Sequence, residues 1–419
     1  MKEICKKKLL YCVFLLMCMW ISPFIFSQEQ VQGLFYLDHS PVSISFIDGK
    51  IKDITRLKNV PDDFPKIYIS PGFIDNQVNG YKGVSFMFAG EDELNKTDIK
   101  GVVREIWKEG YTTFLPTLTS NDHDLMMKNI TLISEVMNDP ETLGTIPGLH
   151  LEGPYISPEE GYRGAHPLKY VRQPDWNEFL EFNEASGGSI LQITIAPEVA
   201  GALDFINKCR EKGIVVALGH HNASAETVQS AVDRGAQLST HLGNGIANTM
   251  NRYQNPFWSQ LADDRLSISI ICDGLHLLPE QIKVFFKVKT ADKIIITSDV
   301  TSFAGLPSGE YTTPEGVRIK LSPEGKVWDP QKNILYGSAI PMRKGFGHIM
   351  QVTGCTMAEA VKMCSTNVAR LYGLSDRGEI QPGKRADLTL FTLGDDGLIK
   401  IEKTYVQGHL VYDAKSEKK

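Results

Sequence analysis

Gly219-His220-His221-Asn222-Ala223-Ser224 and Thr240-His241-Leu242-Gly243-Asn244-Gly245 decide the reading of this chain. Each follows a short apolar run, residues 214–218 and 237–239, that delivers a histidine at its end. Short apolar runs bounded by turn residues read as buried strands. His220 and His241 are therefore expected at the tips of neighbouring strands, facing one place. Upstream, Gly148-Leu149-His150-Leu151-Glu152-Gly153-Pro154 sets Glu152 at an equivalent tip, and Ile294-Ile295-Ile296-Thr297-Ser298-Asp299 closes another run on a carboxylate. A catalytic zinc-type site takes three protein ligands and keeps one position open for water. Glu152, His220 and His241 supply one carboxylate and two imidazoles, too far apart in sequence for a single-helix motif. Taken singly, each reads equally well as an ordinary hydrogen-bonded group. As a set on strand tips they point to metal-assisted hydrolysis.

Outward from these motifs, extended and helical stretches alternate. Residues 69–74 are extended and lead into Asp75. Helical 100–109, 124–137, 176–185, 203–212 and 225–234 are each followed by extended 112–116, 148–152, 190–196, 214–219 and 236–241. Then 266–273 is extended, 280–289 helical and 293–299 extended, with later helices expected over 337–348 and 357–372. This pattern predicts an α/β protein, a (β/α)8 TIM-type barrel rather than a doubly wound sheet. Such barrels put their chemistry at the strands' C-terminal ends, where the ligand candidates fall. The two termini read differently. Residues 31–70 are short alternating runs with a hairpin signal at Asp48-Gly49, and residues 386–393 and 404–412 are strand-like around Gly394-Asp395-Asp396-Gly397. They are expected to meet in one small β-sandwich module. The division is then a β-module over 28–70, a hydrolase barrel over 71–374 and the rest of the module over 375–419.

Composition narrows the partners. Of 419 residues, 42 % are apolar and 22 % charged, enough for a normal core, and the net charge of −6 with no basic stripe speaks against nucleic acid. Lys2, Lys6, Lys7 and Lys8 precede an apolar run over 9–26 and then Ser27-Gln28. That reads as a secretory signal over 1–27, hence an exported protein, periplasmic or extracellular, with no membrane contact after cleavage. An uncleaved membrane anchor is the alternative, since the run is long enough to span. A lipoprotein site at Cys18 is disfavoured by Met17 before it. Beyond residue 27, Cys209, Cys272, Cys355 and Cys364 form no C-x-x-C; buried free thiols are favoured, and one disulfide stays open.

Other residues carry chemistry around the ligand set. Asp299 is the candidate general acid/base, against a helix cap or salt-bridged aspartate. His276, after Cys272-Asp273-Gly274-Leu275, is suited to donate a hydrogen bond to a carbonyl oxygen or a phosphate, or to a structural role. Asn244 and Gly245 offer a loop whose N–H groups suit an anion. Arg252 suits bidentate binding of a carboxylate or phosphate, or simply faces solvent. His221, next to His220, should point the other way. Gly337-Ser338-Ala339 resembles a tight loop before a helix, and Phe257-Trp258 lies near Arg252, although the tryptophans read as core or rim rather than a sugar platform.

With these residues in view, the chain resembles the N-acetylglucosamine-6-phosphate deacetylase family of the amidohydrolase superfamily, over about residues 69–387. The carrying motifs are P-G-F-I-D-N-Q-V-N-G from Pro71, G-L-H-L-E-G-P-Y from Gly148, R-G-A-H-P from Arg163, G-H-H-N-A-S from Gly219 and T-H-L-G-N-G from Thr240. D-G-L-H from Asp273, T-S-D-V-T-S-F-A-G-L-P-S-G-E-Y from Thr297, G-S-A from Gly337 and P-G-K-R-A-D-L from Pro382 complete them. The resemblance implies that Glu152, His220 and His241 bind the metal and that Asp299 is the acid/base. It implies that His276 polarises the acetamide carbonyl or contacts the sugar, that His166 contacts sugar hydroxyls, and that Asn244, Gly245 and Arg252 engage the 6-phosphate. It also implies a homodimer in which an arginine like Arg252 reaches the neighbouring site. Departures are specific. Gln77 and Asn79 stand where many amidohydrolases carry H-x-H, which implies one metal rather than two, with Gln77 steering the attacking water. Gly243 replaces a common aromatic, Gly245-Ile246 replaces Ala-Met, and His221 replaces a common serine.

The expected activity is metal-dependent hydrolysis of the acetamide of N-acetylglucosamine 6-phosphate to glucosamine 6-phosphate and acetate. The expected cofactor is one divalent ion, Zn2+ first, with Fe2+ or another open to the same ligands. The signal-like start conflicts with a phosphorylated substrate and keeps open an exported deacetylase of an unphosphorylated N-acetylamino sugar or glycan fragment. A deaminase or cyclic amidase and a non-catalytic barrel scaffold are further alternatives; H-L-E-G-P with Arg252 disfavours the first, and the intact ligand set the second.

Overall fold

Eight parallel strands stand side by side in chain order in the computed structural model, which describes residues 29–88 and 93–417. They are β1 Phe73–Val78, β2 Tyr111–Thr119, β3 Leu149–Glu152, β4 Ile190–Ile195, β5 Val215–Leu218, β6 Ala236–Ser239, β7 Ser267–Ile271 and β8 Ile294–Thr297. A parallel bridge from Val78 to Val300, just beyond β8, brings the sheet's two edges together as a barrel. Nearly every strand residue is buried, as expected where helices cover one side and side chains fill the other.

The helices begin and end where local chemistry says they should. Trp176–Ala185 starts on Asp175, whose side chain accepts from Asn177 and Glu178 N–H. Ala225–Arg234 starts on Ser224 and stops at Gly235, whose φ of 117° favours glycine. Its Val228, Ala231 and Val232 are buried at helical spacing.

The chain's ends form the small β-sandwich module. One seven-stranded sheet runs His409–Asp413, Ile399–Val406, Leu388–Leu393, Tyr68–Pro71, Glu29–Phe35, Pro41–Ile47 and Lys50–Arg56. The Asp48-Gly49 turn has φ of 51° and 74°, the left-handed pair that a two-residue hairpin needs. A separate four-stranded antiparallel sheet, Gly309–Thr312, Arg318–Leu321, Val327–Asp329 and Ile334–Leu335, is inserted after β8, where the sequence pattern predicts no strands. Cys209, Cys272, Cys355 and Cys364 are free and buried.

Candidate metal centre and active site

The strand tips converge. Glu152 ends β3, His220 follows β5 and His241 follows β6, and their ligand atoms lie within 4.8 Å of one another, all buried. His220 and His241 have φ of 52° and 29°, and Asp299, beyond β8, has φ of 52°. Non-glycine residues in this region cost on the order of 1–3 kcal/mol each and persist where the surroundings over-determine them. Here three such residues, His220, His241 and Asp299, follow β5, β6 and β8 and line one cavity.

The donor set fits a divalent cation. His220 Nδ1 lies 3.1 Å from the Tyr162 carbonyl, which can only accept, so Nδ1 carries the hydrogen. In the neutral ring, Nε2 then turns a lone pair toward Glu152 Oε1 at 3.2 Å. His241 Nε2 lies 2.9 Å from the same oxygen. Three electron-rich atoms meeting in a buried space are stable with a cation between them or with protonated rings. Burial pushes the Glu152 carboxyl up, yet the hydrogen bonds and charges of His220 and His241 outweigh it and hold Glu152 well below the usual range. Burial lowers His241, and Glu152 reverses that to a net rise. The buried Glu/His/His cluster is thus a divalent-metal site in its chemistry.

Asp299 sits beside it. Gln77 Nε2 donates to Glu152 Oε1 at 2.8 Å and to Asp299 Oδ1 at 3.0 Å, and Asn79 Nδ2 donates to the same Asp299 oxygen at 2.7 Å. Burial first, then the negative charge of Glu152, raises the Asp299 carboxyl to about 6. A carboxyl so tuned can take and return a proton near neutral pH. His276 faces the same space and is bonded through Nδ1 to Asp273 Oδ2 at 2.7 Å. His166 has its ring 4.6 Å from that of His220 and its Nδ1 2.9 Å from Ser120 Oγ.

These groups open on a cavity of about 770 Å3, also lined by Asn244, Gly245, Phe257, Phe303 and Tyr336. Asn244 Nδ2 is buried there without a partner. A Cβ on Gly245 (φ +60°) would stand 2.8 Å from His220 Cε1 and Nδ1, so glycine is what lets this loop lie against the ligand ring. His221 is buried away from the cavity, its Nδ1 accepting from Ala223 N–H. Arg252 stands apart: it is exposed, with its guanidinium 4.5 Å from the Tyr253 ring centroid. Among the described residues, no lysine or arginine lines the cavity. Sequence reasoning passed over Asn79 as a donor to Asp299, Asp273 and Ser338 behind His276, and the wall made by the inserted sheet. Of these, only the Asp273 to His276 spacing left a local signal.

Comparison with known proteins accords with this geometry. The amidohydrolase family matches residues 68–416. The chain is 32 % identical to the N-acetylglucosamine-6-phosphate deacetylase of Bos taurus, over 91 % of this chain and 90 % of that one. It is 30 % identical to that of Lysinibacillus sphaericus, over 77 % and 81 %. The crystal structure of the Thermotoga maritima N-acetylglucosamine-6-phosphate deacetylase superposes with a TM-score of 0.79 at 27 % identity, over 92 % of this chain and 99 % of that one.

These matches overturn the expectation of an exported or membrane-anchored protein. The relatives are named for a hexose 6-phosphate, a cytoplasmic metabolite whose charge bars it from crossing a bilayer. The signal reading itself, over 1–27, lies outside the described residues. Among the described residues, no helix is long and apolar enough to cross a membrane.

Proposed function

The chain belongs to the N-acetylglucosamine-6-phosphate deacetylase family of the amidohydrolases, and from that premise we infer that it hydrolyses the acetamide of N-acetylglucosamine 6-phosphate to glucosamine 6-phosphate and acetate. The observation that carries the reading is the Glu152, His220 and His241 cluster with Asp299 held beside it by Gln77. Glu152, His220 and His241 would hold one divalent ion; zinc suits this set best, and Fe2+ or another divalent ion suits it too. When bound, the ion supplies Lewis acidity, polarising the carbonyl and acidifying water.

The chain's own residues do the rest. Asp299 takes a proton from the attacking water as its oxygen adds to the acetamide carbon. Gln77 and Asn79 fix one Asp299 oxygen and leave the other for that proton. Asp299 then gives the proton to the nitrogen, the C–N bond breaks and acetate leaves. His166 holds the sugar, Asn244 and Gly245 meet the phosphate, and residues 71–374 act as the catalytic barrel, with 28–70 and 375–419 as the module beside it.

A cation favours phosphate binding, and among the described residues the cavity of one chain offers none beyond histidines. We read the protein as a homodimer in which Arg252 of the partner subunit reaches the phosphate beside Gly245. Exposed Tyr253 and Trp258, the first under the Arg252 guanidinium and the second bonded through Nε1 to the Arg252 carbonyl, support a covered face. The same absence favours a second reading, an unphosphorylated N-acetylamino sugar or glycan fragment as substrate.

Acetate release by the metal-loaded chain from N-acetylglucosamine 6-phosphate and from N-acetylglucosamine, side by side, tests both. The first reading expects strong preference for the phosphate. Preference for the free sugar selects the second, and acetate from neither overturns both.

A further inference from the structure

We propose that Asp75 is a positioning residue that sets Gln77 and Asp299 against one another across the seam between β1 and β8; this rests on the reaction read above. Every other neighbouring pair of barrel strands is joined by a parallel ladder. β1 and β8 are the two ends of that order, and among the described residues no ladder joins them. The bridge from Val78 to Val300 lies beyond the tip of β8. Below it the seam is spanned by a carboxylate. Asp75, on β1, is fully buried. Its Oδ1 accepts Thr297 Oγ–H at 2.7 Å and Gln77 N–H at 3.2 Å, and its Oδ2 accepts Ser298 N–H at 3.1 Å. A carboxylate accepts on both oxygens, so it can take donors from two strands at once. An asparagine here would keep one oxygen but turn an N–H toward one of these donors.

The backbone that Asp75 holds carries the working groups. Ser298 precedes Asp299, and Asp299 N–H donates to the Gln77 carbonyl at 3.1 Å. Both backbone groups of Gln77 are thus engaged, its N–H by Asp75 and its carbonyl by Asp299. Its side chain then reaches Glu152 Oε1 at 2.8 Å and Asp299 Oδ1 at 3.0 Å. That amide has no anchor on its other side, because Gln77 Oε1 is buried without a partner. Where its N–H groups point is therefore set by the backbone at the tip of β1. Asp299 itself is held at φ 52°, a conformation that persists where the surroundings over-determine it. The Ser298 bond to Asp75 is one such constraint. Asp75 does not line the cavity, so it acts only through these neighbours.

The test uses the metal-loaded full chain and whichever of N-acetylglucosamine 6-phosphate and N-acetylglucosamine it prefers. Asp75→Asn is expected to lower kcat by about 10–100-fold, the scale of a misplacement of about 1 Å or less, with KM and metal content near wild type. Thr297→Val, which takes the hydroxyl from Asp75 and keeps the side chain's shape, should lower kcat by about 3–10-fold, and Thr297→Ser, which keeps the hydroxyl, should stay within about twofold of wild type. That pair stands in if Asp75→Asn does not fold. Because Asp75 acts in part through Gln77, Asp75→Asn combined with Gln77→Ala should lose well under the product of the two single losses. Four results would each overturn the proposal and leave the deacetylase reading intact: unchanged kcat in Asp75→Asn and Thr297→Val, a Thr297→Ser loss equal to that of Thr297→Val, a fully multiplicative double loss, or a loss that follows metal content. A wild-type chain that releases acetate from neither sugar would sink the reaction reading, and this proposal with it.

Discussion

The two ends of the cavity are built on different terms. At the inner end, Glu152, His220, His241 and Asp299 sit on strand tips, buried, with Gln77 donating to Glu152 and Asp299, Asn79 donating to Asp299, and His220 Nδ1 donating to the Tyr162 carbonyl. Three of those four residues have left-handed backbone, a cost a rigid barrel can hold. At the outer end the loop after β6 carries Gly243, Asn244 and Gly245, then an exposed Arg252 that points to Tyr253 rather than inward. On our reading, the contrast teaches that bond cleavage would belong to one chain, whereas recognition of the phosphate would draw on a loop and a second subunit.

The widest break in that comparison comes from the inner end. Asp299→Asn keeps the shape but cannot accept a proton, so turnover should fall by about 10³-fold or more with the metal retained. Next, removing the ion with a chelator should abolish activity and lower thermal stability, by about 3 kcal/mol at a free metal level a hundredfold above Kd. Calorimetry with and without metal reads this; an unchanged transition would mean that the cluster holds no ion. At the outer end, Arg252→Ala should raise KM for the phosphorylated sugar by about 10–100-fold, the worth of one charge-assisted bond, while leaving kcat nearly alone. Equal loss with a phosphate-free substrate would show that Arg252 does not read the phosphate.

A smaller effect probes the boundary between the ends. Gly245→Ala drives a Cβ into the His220 ring at 2.8 Å, and should weaken metal affinity by about tenfold, as loss of support behind a ligand does. Metal titration reads it, and wild-type affinity would show that the loop yields freely. Smallest is the pH effect. The carboxylate is the working form of Asp299, so a raised value means activity is lost as pH falls through it. Burial and the charge of Glu152 set that value near 6, and a bound cation offsets the second cause but not the first. The acid limb of kcat/KM should lie above the ordinary 3.8 and no higher than about 6. A limb below 3.8 would mean that burial does not govern Asp299.

The same division governs what could be read from the sequence. Helices Trp176–Ala185 and Ala225–Arg234 fall where the pattern set them, because their caps are local. Glu152, His220, His241 and Asp299 were legible because each ends an apolar run. The inserted sheet was not, although Pro314-Glu315-Gly316 and Pro323-Glu324-Gly325 mark its turns. Its strands are short, and Gly309–Thr312 is largely exposed, so no burial period marks it. The Asn79 bond to Asp299 joins residues remote in sequence, so no local pattern marks it. The apolar start suggested export, and it took relatives named for a sugar phosphate to correct that.

The most direct test of the central claim is metal content and acetate release measured together on the wild type and Asp299→Asn. The account predicts one divalent ion per chain in both proteins, with acetate released from N-acetylglucosamine 6-phosphate by the wild type alone. Acetate release without a stoichiometric ion, or an Asp299→Asn protein as active as the wild type, would contradict it.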